Sequence, residues 1–200
     1  MAKMKYLVVH CTDTPYNRNV SKDDIKQWHL LPAKNADGTY TYKGIKYKSI
    51  EALPDEKIAG LDIKKYAGNG RGWKKCGYAD MIDRTGKLIN ITPYNFDDVI
   101  DSAEVTNGAA GYNSESRHVV LAGGWSKDGK NKTGKGLSYK DLYTKEQLDT
   151  LEKYIRMQIE IVPDVIVCGH CNLASKTCPN FDVKQFCIDR NILNAKFKSY

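Results

Sequence analysis

The apolar residues of this chain fall into two patterns, short unbroken runs and stripes spaced by three or four. Tyr6–Val9, Val119–Ala122 and Val165–Val167 are runs of the first kind, and they predict strands over Tyr6–His10, Arg117–Ala122 and Val165–Val167, the first and last of them buried. Leu148, Leu151, Ile155 and Ile159 make a stripe of the second kind. Thr144 and Gln147 stand before it as a capping box and Pro163 stands behind it, so a helix is predicted up to about Ile161. Ile25, Trp28 and His29 also recur at helical spacing. Ser21 precedes them as a candidate N-cap, with Asp23 and Asp24 in the first turn, which predicts a helix of about ten residues. Asp182 is placed to cap a last helix containing Phe186.

Between these elements the punctuation suggests turns. Thr39–Tyr42 and Ile45–Tyr47 flank Lys43 and Gly44 as a small hairpin, and Ser49 or Pro54 is expected to open a helical turn before Gly60. A longer strand over Trp73–Asp83 is expected to turn at Arg84–Gly86 into a second strand, Leu88–Ile91. Residues 107–113 read as a small-residue loop and 126–138 as a mobile one. Strands alternating with helices imply an α/β or α+β fold with a central mixed β-sheet flanked by helices. Two hundred residues, 41% of them hydrophobic and 28% charged, suffice for one core, so a single domain over 1–200 is expected.

Charge and cysteine content narrow the setting. The net charge of +7 favours an acidic partner, nucleic acid or an anionic cell wall, but the lysines are scattered and form no basic run of the nucleic-acid type. No nucleic acid is therefore expected as a partner. The N-terminal apolar run is too short for a signal segment, and no apolar stretch reaches membrane-spanning length. The expectation is a monomer made in the cytoplasm, without membrane insertion. The six cysteines are expected to be reduced, with Cys76 and Cys187 as small buried hydrophobes.

The chemistry concentrates after the last apolar run, where His170, Cys171, Lys176 and Cys178 crowd into one loop. His170 and Cys178 are too far apart in sequence for one helix face, and Pro179 pushes Cys178 out of helical geometry, so the two must meet across a loop. Read as zinc ligands they need a third, since a catalytic zinc site has three protein ligands and one open position. His10 is the best donor, because the first buried strand carries it to a sheet edge where ligands of open α/β sheets gather.

Several short motifs then carry a family resemblance: Val8–Thr12 (VVHCT), Ile25–His29 (IKQWH), Gly77-Tyr78, Gly111–Asn113 with Val119–Gly124, and Gly169-His170 followed by Ser175–Asp182 (SKTCPNFD). In this order the chain resembles the zinc-dependent N-acetylmuramoyl-L-alanine amidases of phage-lysozyme type, which share a fold with the peptidoglycan recognition proteins. The resemblance covers most of residues 4–190. It implies zinc on His10, His170 and Cys178, catalytic roles for Tyr78 and Lys176, and bacterial peptidoglycan as substrate. It implies an endolysin-type enzyme that acts on the wall after release, or, as the alternative, a binder of the same fold that has lost catalysis. Where many relatives follow Gly-Tyr with His, this chain has Ala79 and Asp80. Residues 31–70 depart from the pattern and read as an inserted subregion outside the metal site. His29 reads as a satisfied core residue, and His118, at a strand start where the family has no ligand, as structural.

Two rival readings use the same cysteines. Cys168-Gly-His-Cys171 has the spacing of a thiol-disulfide oxidoreductase, but no apolar-periodic helix follows it. Cysteines 168, 171, 178 and 187 would make a closed structural zinc site, but the second pair lacks close ligand spacing.

Overall fold

The computed structural model describes residues 1–198. In chain order the elements are β1 (Ala2–Lys3), β2 (Tyr6–Cys11), α1 (Lys22–Leu30), β3 (Ala33–Lys34), β4 (Tyr40–Tyr42), β5 (Ile45–Tyr47), β6 (Lys57–Ile58), β7 (Leu61–Asp62), β8 (Asp80–Ile82), β9 (Leu88–Asn90), β10 (Val99–Ile100), β11 (Ser116–Leu121), α2 (Tyr139–Leu142), α3 (Lys145–Ile161), β12 (Ile166–Gly169) and α4 (Val183–Asp189). They divide into two compact units, one made of Met1–Val20 with the chain from Tyr78 onward, the other of Ser21–Gly77.

The first unit is built on a five-stranded sheet in the order β12-β2-β11-β8-β9. Its first four strands are parallel and β9 closes the edge antiparallel, so the sheet is mixed as expected. Period-2 alternation splits β2 and β11 between two faces. Leu7, Val9 and Cys11 of β2 and Val119 and Leu121 of β11 join a core with Leu148, Leu151, Ile155 and Ile159 of α3 and Val183 and Phe186 of α4. Val8, His10, His118 and Val120 take the opposite face. His10 and His118 share that face because His10 pairs with Val120, two residues beyond His118 on the neighbouring strand.

α3 begins at the expected capping box: Thr144 accepts from the Gln147 N–H, and the Gln147 side chain accepts from the Thr144 N–H. The Gln147 amide also donates to the carbonyls of Ile82 and Ala122, at 3.2 and 2.9 Å, which fastens the helix to the ends of β8 and β11. Capping Ser/Thr residues are each worth about 1 kcal/mol. Asp182 caps α4 as expected, accepting from the N–H groups of Lys184 and Gln185.

The Ser21–Gly77 unit has its own small core of Leu31, Tyr40, Tyr42, Leu53 and Ile63. Ser21 caps α1 in a capping box with Asp24. The predicted hairpin is present as β4 and β5, with β3 added on the other side of β4. Two expectations need correction. No helix forms between Ser49 and Gly60, where the Leu53 N–H donates to the Ile50 carbonyl in one isolated turn; the chain then makes the two-residue pairs of β6 and β7, turning at Ala59 and Gly60, both at positive φ. The strand expected over Trp73–Asp83 is confined to Asp80–Ile82, because only those residues pair with β11 and β9. Trp73 instead stacks on the His29 ring with centroids 4.9 Å apart, and the Gly77 N–H donates to His29 Nδ1 at 3.1 Å.

Candidate metal centre

Three side chains come together at the C-terminal ends of β2 and β12. His10 is the fifth residue of β2, and His170 follows directly after β12, opening the 3-10 turn His170–Asn172. Cys178 returns to them because the backbone closes on itself: the Cys171 N–H donates to the Cys178 carbonyl at 2.8 Å, and the Asn172 side chain accepts from the Gly169 N–H at 2.8 Å. Gly169 is needed for this closure, since a Cβ there would lie 2.7 Å from Pro179 Cδ. On the far side, the Tyr143 hydroxyl donates to the Pro179 carbonyl at 2.7 Å and holds the segment down. The result is one ligand atom each from His10, His170 and Cys178, all within 4.8 Å of one another.

The orientation of His10 is fixed from two sides. Its Nδ1 lies 3.7 Å from Cys178 Sγ, and its Nε2 lies 2.9 Å from His118 Nδ1. The Cys11 N–H also donates to Cys178 Sγ at 3.2 Å. Tyr78, half-buried just before β8, tilts over His10 with ring centroids 5.1 Å apart. Lys176 is exposed on the loop, and its charge reaches His170. Of the expected site residues, the structure therefore gathers His10, His170, Cys178 and Tyr78 closely and leaves Lys176 at the rim.

The electrostatics suit neutral ligands. Burial, helped by Lys176, lowers the pKa of His170, and burial with the neighbouring His170 takes His118 down to about 3. The Cys178 thiol is pushed well above its usual range by hydrogen bonding to Cys11 and by burial. Without a cation the site holds a thiol and imidazoles; a divalent ion reverses the balance at sulfur, because a coordinating thiol gives up its proton.

Two contributors went unread in the sequence. His118 reads in the sequence as structural, yet its Nδ1 lies 2.9 Å from His10 Nε2; the available signal is parity, a His inside a buried strand that faces the same way as a candidate ligand on the next strand. Cys11, expected only as a reduced thiol, supports Cys178 through its backbone N–H. Asp80 is turned away from this cluster, since it accepts from the Tyr154 hydroxyl of α3 at 2.7 Å and from Asn90 at 2.9 Å. The rival readings lose their footing here. Cys168 lies inside β12 with its thiol pushed up to about 12 by burial, the reverse of an acidified redox cysteine, and Cys187 is sealed in the core beside Phe186.

No family model matches the sequence. The endolysin of Escherichia phage T7 is 23% identical over 180 residues, 90% of this chain and 83% of the relative. Among solved structures, Drosophila PGRP-LB aligns with a TM-score of 0.57 at 17% identity, covering 100% of this chain and 86% of that one. The N-acetylmuramoyl-L-alanine amidase LysC from Clostridium intestinale URNW aligns with a TM-score of 0.56 at 16% identity, covering 95% and 87%. The fold is that of the amidases and peptidoglycan recognition proteins. The family resemblance carried by the motifs thus agrees both with the fold and with the endolysin relatives. Within this amidase-like fold the cluster sits where parallel strands end, the usual place for a site in such sheets.

Proposed function

We propose that this chain is a cell-wall lytic enzyme that hydrolyses the amide between N-acetylmuramic acid and L-alanine in bacterial peptidoglycan, with zinc held by His10, His170 and Cys178. The observation that carries the reading is the convergence of two imidazoles and one thiol within 4.8 Å in an amidase-like fold. The donor set suits the ion: nitrogen and sulfur ligands, three in number, are the composition of an open, catalytic zinc site. When bound, zinc supplies Lewis acidity, polarising the scissile carbonyl and making water more acidic.

The remaining work falls to the chain's own groups. The Lys176 ammonium, at the rim, stabilises the oxyanion that develops on the attacked carbonyl, a task in which one donor is worth about 3–4 kcal/mol. Two neutral imidazoles and a thiolate leave a zinc site near a single positive charge, so an added cation has more to contribute than beside three histidines. Tyr78 orients the carbonyl or the water with its phenol; an ordinary phenol, with a pKa of about 10, is a poor base at neutral pH. The whole chain acts as one catalytic domain, with 31–70 as an inserted subregion that tunes substrate choice. The enzyme works as a monomer on the wall, after release from the cell in which it is made, and it inserts into no membrane; no helix among the described residues is long and apolar enough to cross one.

Chelation tests the metal-dependent part. Purified protein should carry one zinc per chain, lose wall-clearing activity on dialysis against a chelator, and regain it with added zinc. Full clearing by metal-free protein would refute the reading.

A further inference from the structure

His10 and His118 are both almost completely buried, 1% and 0% exposed, and meet through Nε2 and Nδ1 at 2.9 Å. At that distance between two neutral imidazoles, one proton lies between the two nitrogens. A neutral imidazole has one N–H and one lone pair, which leaves two arrangements. If His118 Nδ1 carries the proton, His10 accepts at Nε2 and its own N–H sits on Nδ1, pointing toward Cys178 and closing that nitrogen to a metal. If His10 Nε2 carries the proton, His118 accepts, and the His10 lone pair sits on Nδ1, 3.7 Å from Cys178 Sγ. Only the second arrangement is competent to bind an ion.

We propose that His118 is a positioning residue for the metal centre: when zinc is bound, its Nδ1 would accept the His10 Nε2–H and so support the tautomer and ring orientation of His10 that present Nδ1 to the ion. The inference rests on the zinc reading given above. Strand register builds the contact, since β2 and β11 pair in parallel with His118 two residues before the partner of His10. The arrangement has a cost. With its proton on Nε2, His118 holds a buried N–H for which no hydrogen-bond partner exists among the described residues. An unpaired buried donor is more costly than an unpaired lone pair. The metal-free pair is therefore not locked in the competent tautomer, and binding of the ion selects it. His118 acts through His10 and does not touch the reacting atoms.

The test compares wild type with His118→Leu, which removes the acceptor, and His118→Asn, whose Oδ1 replaces Nδ1. Zinc affinity is read by competition with a chromogenic chelator, and imidazole protonation by long-range nitrogen-15 correlation spectra of the zinc-loaded protein. Supporting partners of metal-bound histidines typically contribute about 10- to 100-fold in affinity. His118→Leu should lose that much, and His118→Asn should recover most of it. The wild-type spectrum should show His10 protonated on Nε2 and coupled through the hydrogen bond to His118 Nδ1. If His118→Leu fails to fold, the Asn variant and the wild-type spectrum still decide. A folded His118→Leu that binds zinc within about 2-fold of wild type, or zinc on His10 Nε2 with the proton on Nδ1, overturns the inference and leaves the metal centre standing. Wild type that binds no zinc brings down the metal centre and this inference with it.

Discussion

The Ser21–Gly77 unit and the end of the large sheet each bury a histidine, and the two are used in opposite ways. His29 is 5% exposed, accepts the Gly77 N–H on Nδ1 and lies flat on Trp73, so its ring is enclosed by groups that fix structure. Burial, with Arg71 nearby, takes its pKa down to about 4. His10 is buried at least as deeply, but its Nδ1 faces a sulfur, and His170 lies 4.7 Å away between ring centroids. Burial alone therefore does not separate a structural histidine from a candidate ligand; the identity of what each ring nitrogen faces does.

Removing a ligand should break this contrast most completely. Cys178→Ala is expected to fall from one zinc per chain to none by elemental analysis and to lose wall clearing entirely, whereas His29→Asn should keep its zinc. Lys176→Ala comes next. It should retain full zinc and lose turnover by about 10²–10³-fold, the usual cost of deleting one oxyanion donor. If zinc content falls in step with turnover, Lys176 serves the structure of the site.

A smaller effect belongs to His29 itself. Its folded pKa lies below the ordinary value of 6.5, so between about pH 6.5 and 4 the unfolded chain binds the extra proton. Stability should be complete above that window and should fall as pH drops through it, by about 1.4 kcal/mol per pH unit at most. Urea unfolding at both ends of the window should show a loss that is reduced in His29→Asn. The smallest expected effect is on the metal when residues 31–70 are replaced by a short Gly-Ser linker: every proposed ligand lies outside that stretch, so the folded variant should hold zinc as wild type does.

Much of this could be read from the chain because it is encoded locally. The stripe of α3 with its capping box, the apolar runs of β2, β11 and β12, and the hairpin at Lys43-Gly44 each announce themselves within a few residues. What escaped depends on partners distant in sequence. Residues 73–77 lead directly into the apolar strand, but the ring and backbone contacts of Trp73 and Gly77 go to His29, and β8 is only as long as its pairing with β11. The helical turn expected after Ser49 or Pro54 does not grow into a helix because those helix-opening residues have no amphipathic stripe behind them. The contact of His118 lies in the register between two strands, with a residue 108 positions away, which one strand's pattern does not carry.

Which bond is cut is decided by a digest of purified peptidoglycan analysed by mass spectrometry. Wild type should release stem peptides with a free L-alanine amino terminus and leave glycan strands whose muramic acid carries a free lactyl carboxylate, and Cys178→Ala should release neither. Products cut within the glycan, or between residues of the peptide, would contradict the assignment.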